Sequence, residues 1–300
     1  MEGLPRSAVA VTASGDSPEL RRTLSILRDR TDEIGAELLL VLDRWPDDTD
    51  ASGRRALDAF VDLLVFEPGG DRGAMVNAAA RATAAEVLVL TRIGVEPSLV
   101  WLRELVGPFT RSPRLTCVGG PVEPIFEAGA VPRWYRHLRA SRSELDPSPL
   151  HRLPDGVREY VETAGALPGP LPSPANVAWR RSWLLDNPFV TGLASMGDPA
   201  ADLHAALRLL EVDGRIVHAP AALVHLEVRP SETTEQAVER ELRVRAAGLS
   251  AALRALGKAV PTIGSDPWPG PWRRLAPRSV RIGRRLARAH AEALEEASNA

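Results

Sequence analysis

Cysteine and lysine occur once each in the 300 residues, as Cys117 and Lys258. A lone cysteine excludes an intrachain disulfide framework and any multi-cysteine zinc site. The missing lysine has a different meaning. Of 37 Lys plus Arg residues, all but Lys258 are arginine, which reads as a coding bias rather than selection site by site. Arginine clusters are therefore weaker signs of function here than elsewhere. No apolar run reaches the ~18 residues that a membrane-spanning helix needs. The N-terminus MEGLPRSAVAV has neither a basic region nor a long apolar one, so no signal peptide is read and a cytoplasmic protein is expected. A net charge of -2 gives no global attraction to nucleic acid or to an anionic membrane, so nucleic acid is not an expected partner.

What is present is an alternation of short apolar runs and helical periods. Residues 7–12, 36–43, 63–66, 86–90, 115–118 and 215–219 read as strands. The run AELLLVLD is apolar on both faces, which suits a parallel strand covered on both sides. Between these runs, Ser17 and Pro18 open a helix with Leu20, Leu24 and Leu27 at helical spacing. Helices are also expected over 74–84, 99–109 and 200–210. The resulting fold class is α/β, a mostly parallel doubly wound sheet with helices on both faces. Ligands of such sheets bind beyond the carboxyl ends of the strands, here near Ala13 to Gly15, Asp43 to Trp45 and Thr91 to Gly94. Residues 123–174 are rich in proline and arginine and read as an excursion over the sheet. The chain divides into 1–230, a long helix within 231–260, and 261–300, a Pro/Trp-rich linker with a basic C-terminal helix.

Taken in order, the segments resemble the family 2 inverting glycosyltransferases of GT-A type. The opening VAVTASGDSPELRRTLSIL is similar to that family's first strand, turn and helix. The stretches GDRGAMVNAAARATAAEVLVL, VEPSLVWLRELVGPF, LTCVGGPVEP, SPANVAWRRSWL and RIVHAPAALVH follow in the family's order, from about Ser7 to His225. The resemblance implies a nucleoside-diphosphate sugar as donor, with Ala13, Ser14, Asp43 and Asn77 on the nucleotide-sugar side. It places Gly119, Gly120 and Asn176 on the acceptor side, and implies a glycan, lipid-linked or cell-wall acceptor.

Two departures stand out. The family carries an Asp-x-Asp after the fourth strand, whose carboxylates hold a divalent cation, manganese or magnesium, on the diphosphate. Arg92-Ile93-Gly94 occupies that place, so the usual ligands are missing and the motif is degenerate. A guanidinium at Arg92 offers bidentate hydrogen bonds in the cation's stead, and a plain surface arginine is the alternative. The family's Glu-Asp pair near a late helix start, followed six residues on by Arg, becomes Ala201-Asp202 with Arg208. Asp202 is thus the candidate general base, with Asp198 in SMGDPAADL as the other; a capping Asp is the bland alternative for both. A catalytically inactive relative that binds a nucleotide sugar or a protein partner stays open beside the enzyme.

His225 is a weak metal candidate, and a hydrogen-bonded structural histidine is the simpler reading. The Gly69 to Gly73 turn lacks the Gly-Lys-Ser/Thr of a P-loop. The run Gly192 to Gly197 is G-x-x-S-x-G, one residue too long for a nucleophile elbow. The tail from Trp268 to Arg288 sets tryptophans among arginines, a composition suited to peripheral contact with an anionic membrane face. A solvated basic helix is the other reading.

Overall fold

The computed structural model describes residues 3–44, 55, 57–126, 172–192, 199–212, 215–228, 234, 236–237, 240, 251–252 and 254–257. A seven-stranded sheet forms its centre. Its strands are β1 (Ser7–Ala13), β2 (Glu37–Leu42), β3 (Leu63–Phe66), β4 (Val87–Thr91), β6 (Leu115–Gly119), β8 (Val177–Arg180) and β9 (Arg215–His218), in the order β3-β2-β1-β4-β8-β6-β9. All neighbours are parallel except β8, which runs antiparallel to both β4 and β6. A second sheet, β5-β10-β7, joins β5 (Val95–Pro97), β10 (Val224–Val228) and β7 (Val122–Phe126).

The helices are α1 (Pro18–Asp32), α2 (Arg72–Ala82), α3 (Trp101–Val106), α4 (Pro108–Arg111), α5 (Arg181–Asp186) and α6 (Pro199–Glu211). They cover both faces of the large sheet, as the apolar runs require. Along β1, Ala8 and Ala10 face one core while Val9 and Val11 face the other; Leu39/Val41 and Leu38/Leu40 of β2 divide the same way. Successive side chains on opposite faces, all buried, are the reason these strands read as continuous apolar runs. On the first face α2 presents Ala78, Ala79 and Ala80, small enough to lie close on Ala8 and Ala10. On the second, Leu20, Leu24 and Leu27 of α1 pack with Trp101, Leu105 and Val106 of α3.

Local chemistry sets the boundaries. Ser17 Oγ accepts from Leu20 N at 3.0 Å, with Pro18 in the first turn of α1. The expected helix over 99–109 divides into α3 and α4 at Gly107, which keeps helical angles, because Pro108 has no N–H to donate to the turn before it. The sheet β5-β10-β7 and the strand character of β8 go beyond the sequence reading. Asp198, the excursion over 127–171 and the segment 261–300, with its basic tail, lie outside the described residues. Among the described residues no helix is long and apolar enough to cross a membrane.

His204 on α6 is buried, and its Nδ1 has no hydrogen-bond partner among the described residues. Burial, with Arg208 adding a like charge, holds its pKa below the ordinary value of about 6.5. The native state therefore keeps His204 neutral, whereas the unfolded chain takes up a proton below that value. Unfolded protein then binds more protons, so stability is full above about pH 6.5 and falls on acidification below it. The urea midpoint should drop between about pH 7 and 5.5, and His204→Gln should flatten that slope.

Candidate functional site

The carboxyl ends of β1, β2 and β4 lie side by side. Ala13 is opposite Leu42 and Val11 is opposite Thr91, so Ser14, Asp43 and Arg92 emerge from adjacent strands. Asp43 N donates to Ala13 O at 3.2 Å, and Ser14 Oγ donates to Asp43 Oδ2 at 3.0 Å. Asp43 Oδ1 is buried and lacks a partner among the described residues. A buried carboxylate oxygen without a donor is costly, and this one stands where the fold places ligands. The turn after β3 closes against the same point, with Gly69 N donating to Asp43 O at 3.1 Å.

The sequence reading missed the residue that anchors this end of the sheet. Arg72, at the start of α2, lies beneath the tip of β1 with 8% of its side chain exposed, facing Asp202 at 4%. Its Nε donates to Asp202 Oδ2 at 3.3 Å and one terminal nitrogen to Oδ1 at 3.4 Å. These are long for charge-assisted bonds, so the attraction is mostly Coulombic. The guanidinium also donates to Thr12 Oγ1 at 2.8 Å and to Pro174 O at 3.1 Å. Asp202, the expected base, is thus an ion-pair partner in this state. Asp71 caps α2 by accepting from Ala74 N at 2.8 Å and also accepts from Gly192 N.

Other expected site residues have structural work. Asn77 is buried; its Nδ2 donates to Phe189 O at 2.9 Å and its Oδ1 accepts from Phe189 N at 2.8 Å, mimicking a strand partner. Its amide is spent on that loop and does not reach the tips. Asn176, fully buried, donates to Pro121 O (2.9 Å) and Ala222 O (2.6 Å) and accepts from Trp101 Nε1 at 2.8 Å. Gly120 lets it do so: a Cβ there would stand 2.3 Å from Ala222 O and 2.4 Å from Asn176 Nδ2. A Cβ at Gly119 would meet Pro172 at 3.1 Å. These positions build the wall on that side and offer no free polar side chain.

His225 has acidic neighbours on the adjoining strands. It is in register with Glu96 on β5 and Glu123 on β7, with Nε2 3.8 Å from Glu123 Oε2. Among the described residues no group of three or more His, Cys, Asp or Glu is placed to hold a metal ion. A separate concavity of about 360 Å³, lined by Glu104, Arg111, Leu115, Val217 and His218 among others, shares no residue with the strand-tip group.

No family model matches the chain, and no curated protein does. Solved structures do share its architecture. A mannosyltransferase, PcManGT from Pyrobaculum calidifontis, in complex with GDP-Man and Mn2+, superposes with a TM-score of 0.58 at 19% identity. The match covers 99% of this chain and 74% of that one. The chain has a GT-A fold. Glucosyl-3-phosphoglycerate synthase from Mycobacterium tuberculosis, in complex with Mn2+, UDP and glucosyl-3-phosphoglycerate, gives 0.51 at 16% identity, covering 87% of this chain and 83% of that one. At such identities the likeness establishes the GT-A architecture alone.

Removing one member of the buried pair should be severe. Arg72→Met leaves the Asp202 carboxylate buried without its counter-charge, at a cost of about 3–5 kcal/mol. The double variant Arg72→Met with Asp202→Leu should lose less than the sum of the singles, measured as a double-mutant cycle in urea.

Proposed function

We propose that this chain binds a nucleoside-diphosphate sugar at the tips of β1, β2 and β4 and passes the sugar to an acceptor hydroxyl with inversion. The observation that carries the proposal is Asp43. Its Oδ1, buried beside Ser14 and without a partner among the described residues, offers an acceptor for a donor hydroxyl or N–H, at the point where this architecture binds ligands. The solved GT-A structures that hold GDP-Man or UDP support the ligand class.

In a single displacement the acceptor oxygen bonds to the anomeric carbon as the bond from that carbon to the β-phosphate oxygen breaks. The nucleoside diphosphate leaves with the electron pair, and a base takes the acceptor proton. Asp202 is the carboxylate that the resemblance assigns to this task. To act, it must part from Arg72, whose guanidinium carries the remaining bonds to Thr12 and Pro174. That pair also supports a second reading, a domain that binds the donor without turnover.

Calorimetry against UDP-, GDP- and dTDP-sugars tests the binding. One of them should bind, and Asp43→Ala should weaken it by about tenfold or more, the worth of a hydrogen bond to a charged group. If none binds at millimolar concentration, the proposal is lost. Sugar transfer or donor hydrolysis that collapses in Asp202→Asn, while donor affinity stays, separates the enzyme from the silent binder.

A further inference from the structure

We infer that the diphosphate of the donor is neutralised at this site by the Arg92 guanidinium, with no divalent cation taking part; this rests on the nucleotide-sugar reading above. The turn from β4 to β5 consists of Arg92, Ile93 and Gly94. Arg92 is exposed at the strand tip and makes no hydrogen bond or ion pair among the described residues. Gly94 is held from both sides: its N donates to Thr23 Oγ1 at 3.0 Å, and its O accepts from Glu227 N at 3.0 Å. Its φ of 84° is left-handed, a conformation that strains any residue with a Cβ.

A Cβ at position 94 would also stand 3.1 Å from Glu19 Oε1. An aspartate there would thus adopt an unfavourable backbone and set its carboxylate against another. The turn does more than lack the acidic motif; its geometry opposes one. Among the described residues, those around the turn do not fit a divalent cation. Mg2+ asks for near-octahedral oxygen coordination and Mn2+ favours the same hard ligands, whereas Glu19 is the carboxylate that stands within 4 Å of the Cβ position at Gly94, and no group of three or more His, Cys, Asp or Glu among the described residues is placed to hold a metal ion. His225 does not complete a set. Leu226 faces Gly94, with a methyl 3.9 Å from the Cβ position, so the strand's alternation turns His225 to the opposite face, toward Glu123. Arg92 would further repel a cation. A planar guanidinium instead supplies charge and two parallel N–H donors to phosphate oxygens.

Calorimetric titration of the full chain with UDP, GDP and dTDP, in EDTA and then in Mn2+ or Mg2+, is decisive. The Kd of the nucleotide that binds should agree within about twofold between conditions, rise with salt, and rise about tenfold or more in Arg92→Met. Arg92 is exposed, so that variant should keep the wild-type melting temperature. Tightening of tenfold or more by Mn2+, above all one that disappears in Glu19→Gln, would overturn the inference, as would an unchanged Kd in Arg92→Met. In either case nucleotide binding itself would stand. If no nucleoside diphosphate binds under any condition, the proposed function fails and the inference falls with it.

Discussion

The guanidinium of Arg72 draws together stretches of chain that are far apart in sequence. It reaches Thr12 at the tip of β1, Pro174 just before β8, and Asp202 in the first turn of α6, all from the start of α2. Taking two charges out of water is unfavourable unless each is matched, and Arg72 is matched by one carboxylate and two neutral oxygens. The pair adds little net stability compared with well-packed apolar residues, but its geometry is demanding. It ties α2 and α6 to the end of the sheet at Thr12, two residues before Ser14.

That pairing constrains the chemistry at the site. Asp202 cannot serve both as the partner of Arg72 and as a free base at the same moment, so the proposed catalysis through Asp202 requires the pair to rearrange. At the neighbouring tip the β4–β5 turn carries a guanidinium, and Gly94, with its left-handed backbone and Glu19 beside it, disfavours a carboxylate at that position. On the proposed reading, a guanidinium at that tip favours direct contact with an anion.

Much of the large sheet was legible in the chain because burial on both faces makes each parallel strand a continuous apolar run, as in 36–43 and 86–90. Ser17 and Pro18 marked the start of α1 for equally local reasons. The sheet β5-β10-β7 was not legible. Val95–Pro97 has three residues and one buried face, and Val122–Phe126 is interrupted by Glu123 and Pro124. The reversed direction of β8 leaves no trace in local pattern, since pairing direction is a property of neighbours. At the site, Ser14 and Asp43 could be placed from strand ends alone. Arg72 could not: among so many arginines nothing local distinguishes one that is buried, and its partner is 130 positions away. Asn77 and Asn176 look like ligand contacts in sequence, and only the distances to Phe189, Trp101, Pro121 and Ala222 reveal that their amides are already used.

Hydrogen–deuterium exchange of the full chain, with and without a saturating sugar nucleotide, tests the shared strand-tip pocket most directly. Exchange should slow together in 12–16, 43–44 and 91–94, the ends of β1, β2 and β4. Slowing confined to 104–112 and 215–220, around the separate concavity, or to any surface that omits those three tips, would contradict a common site there.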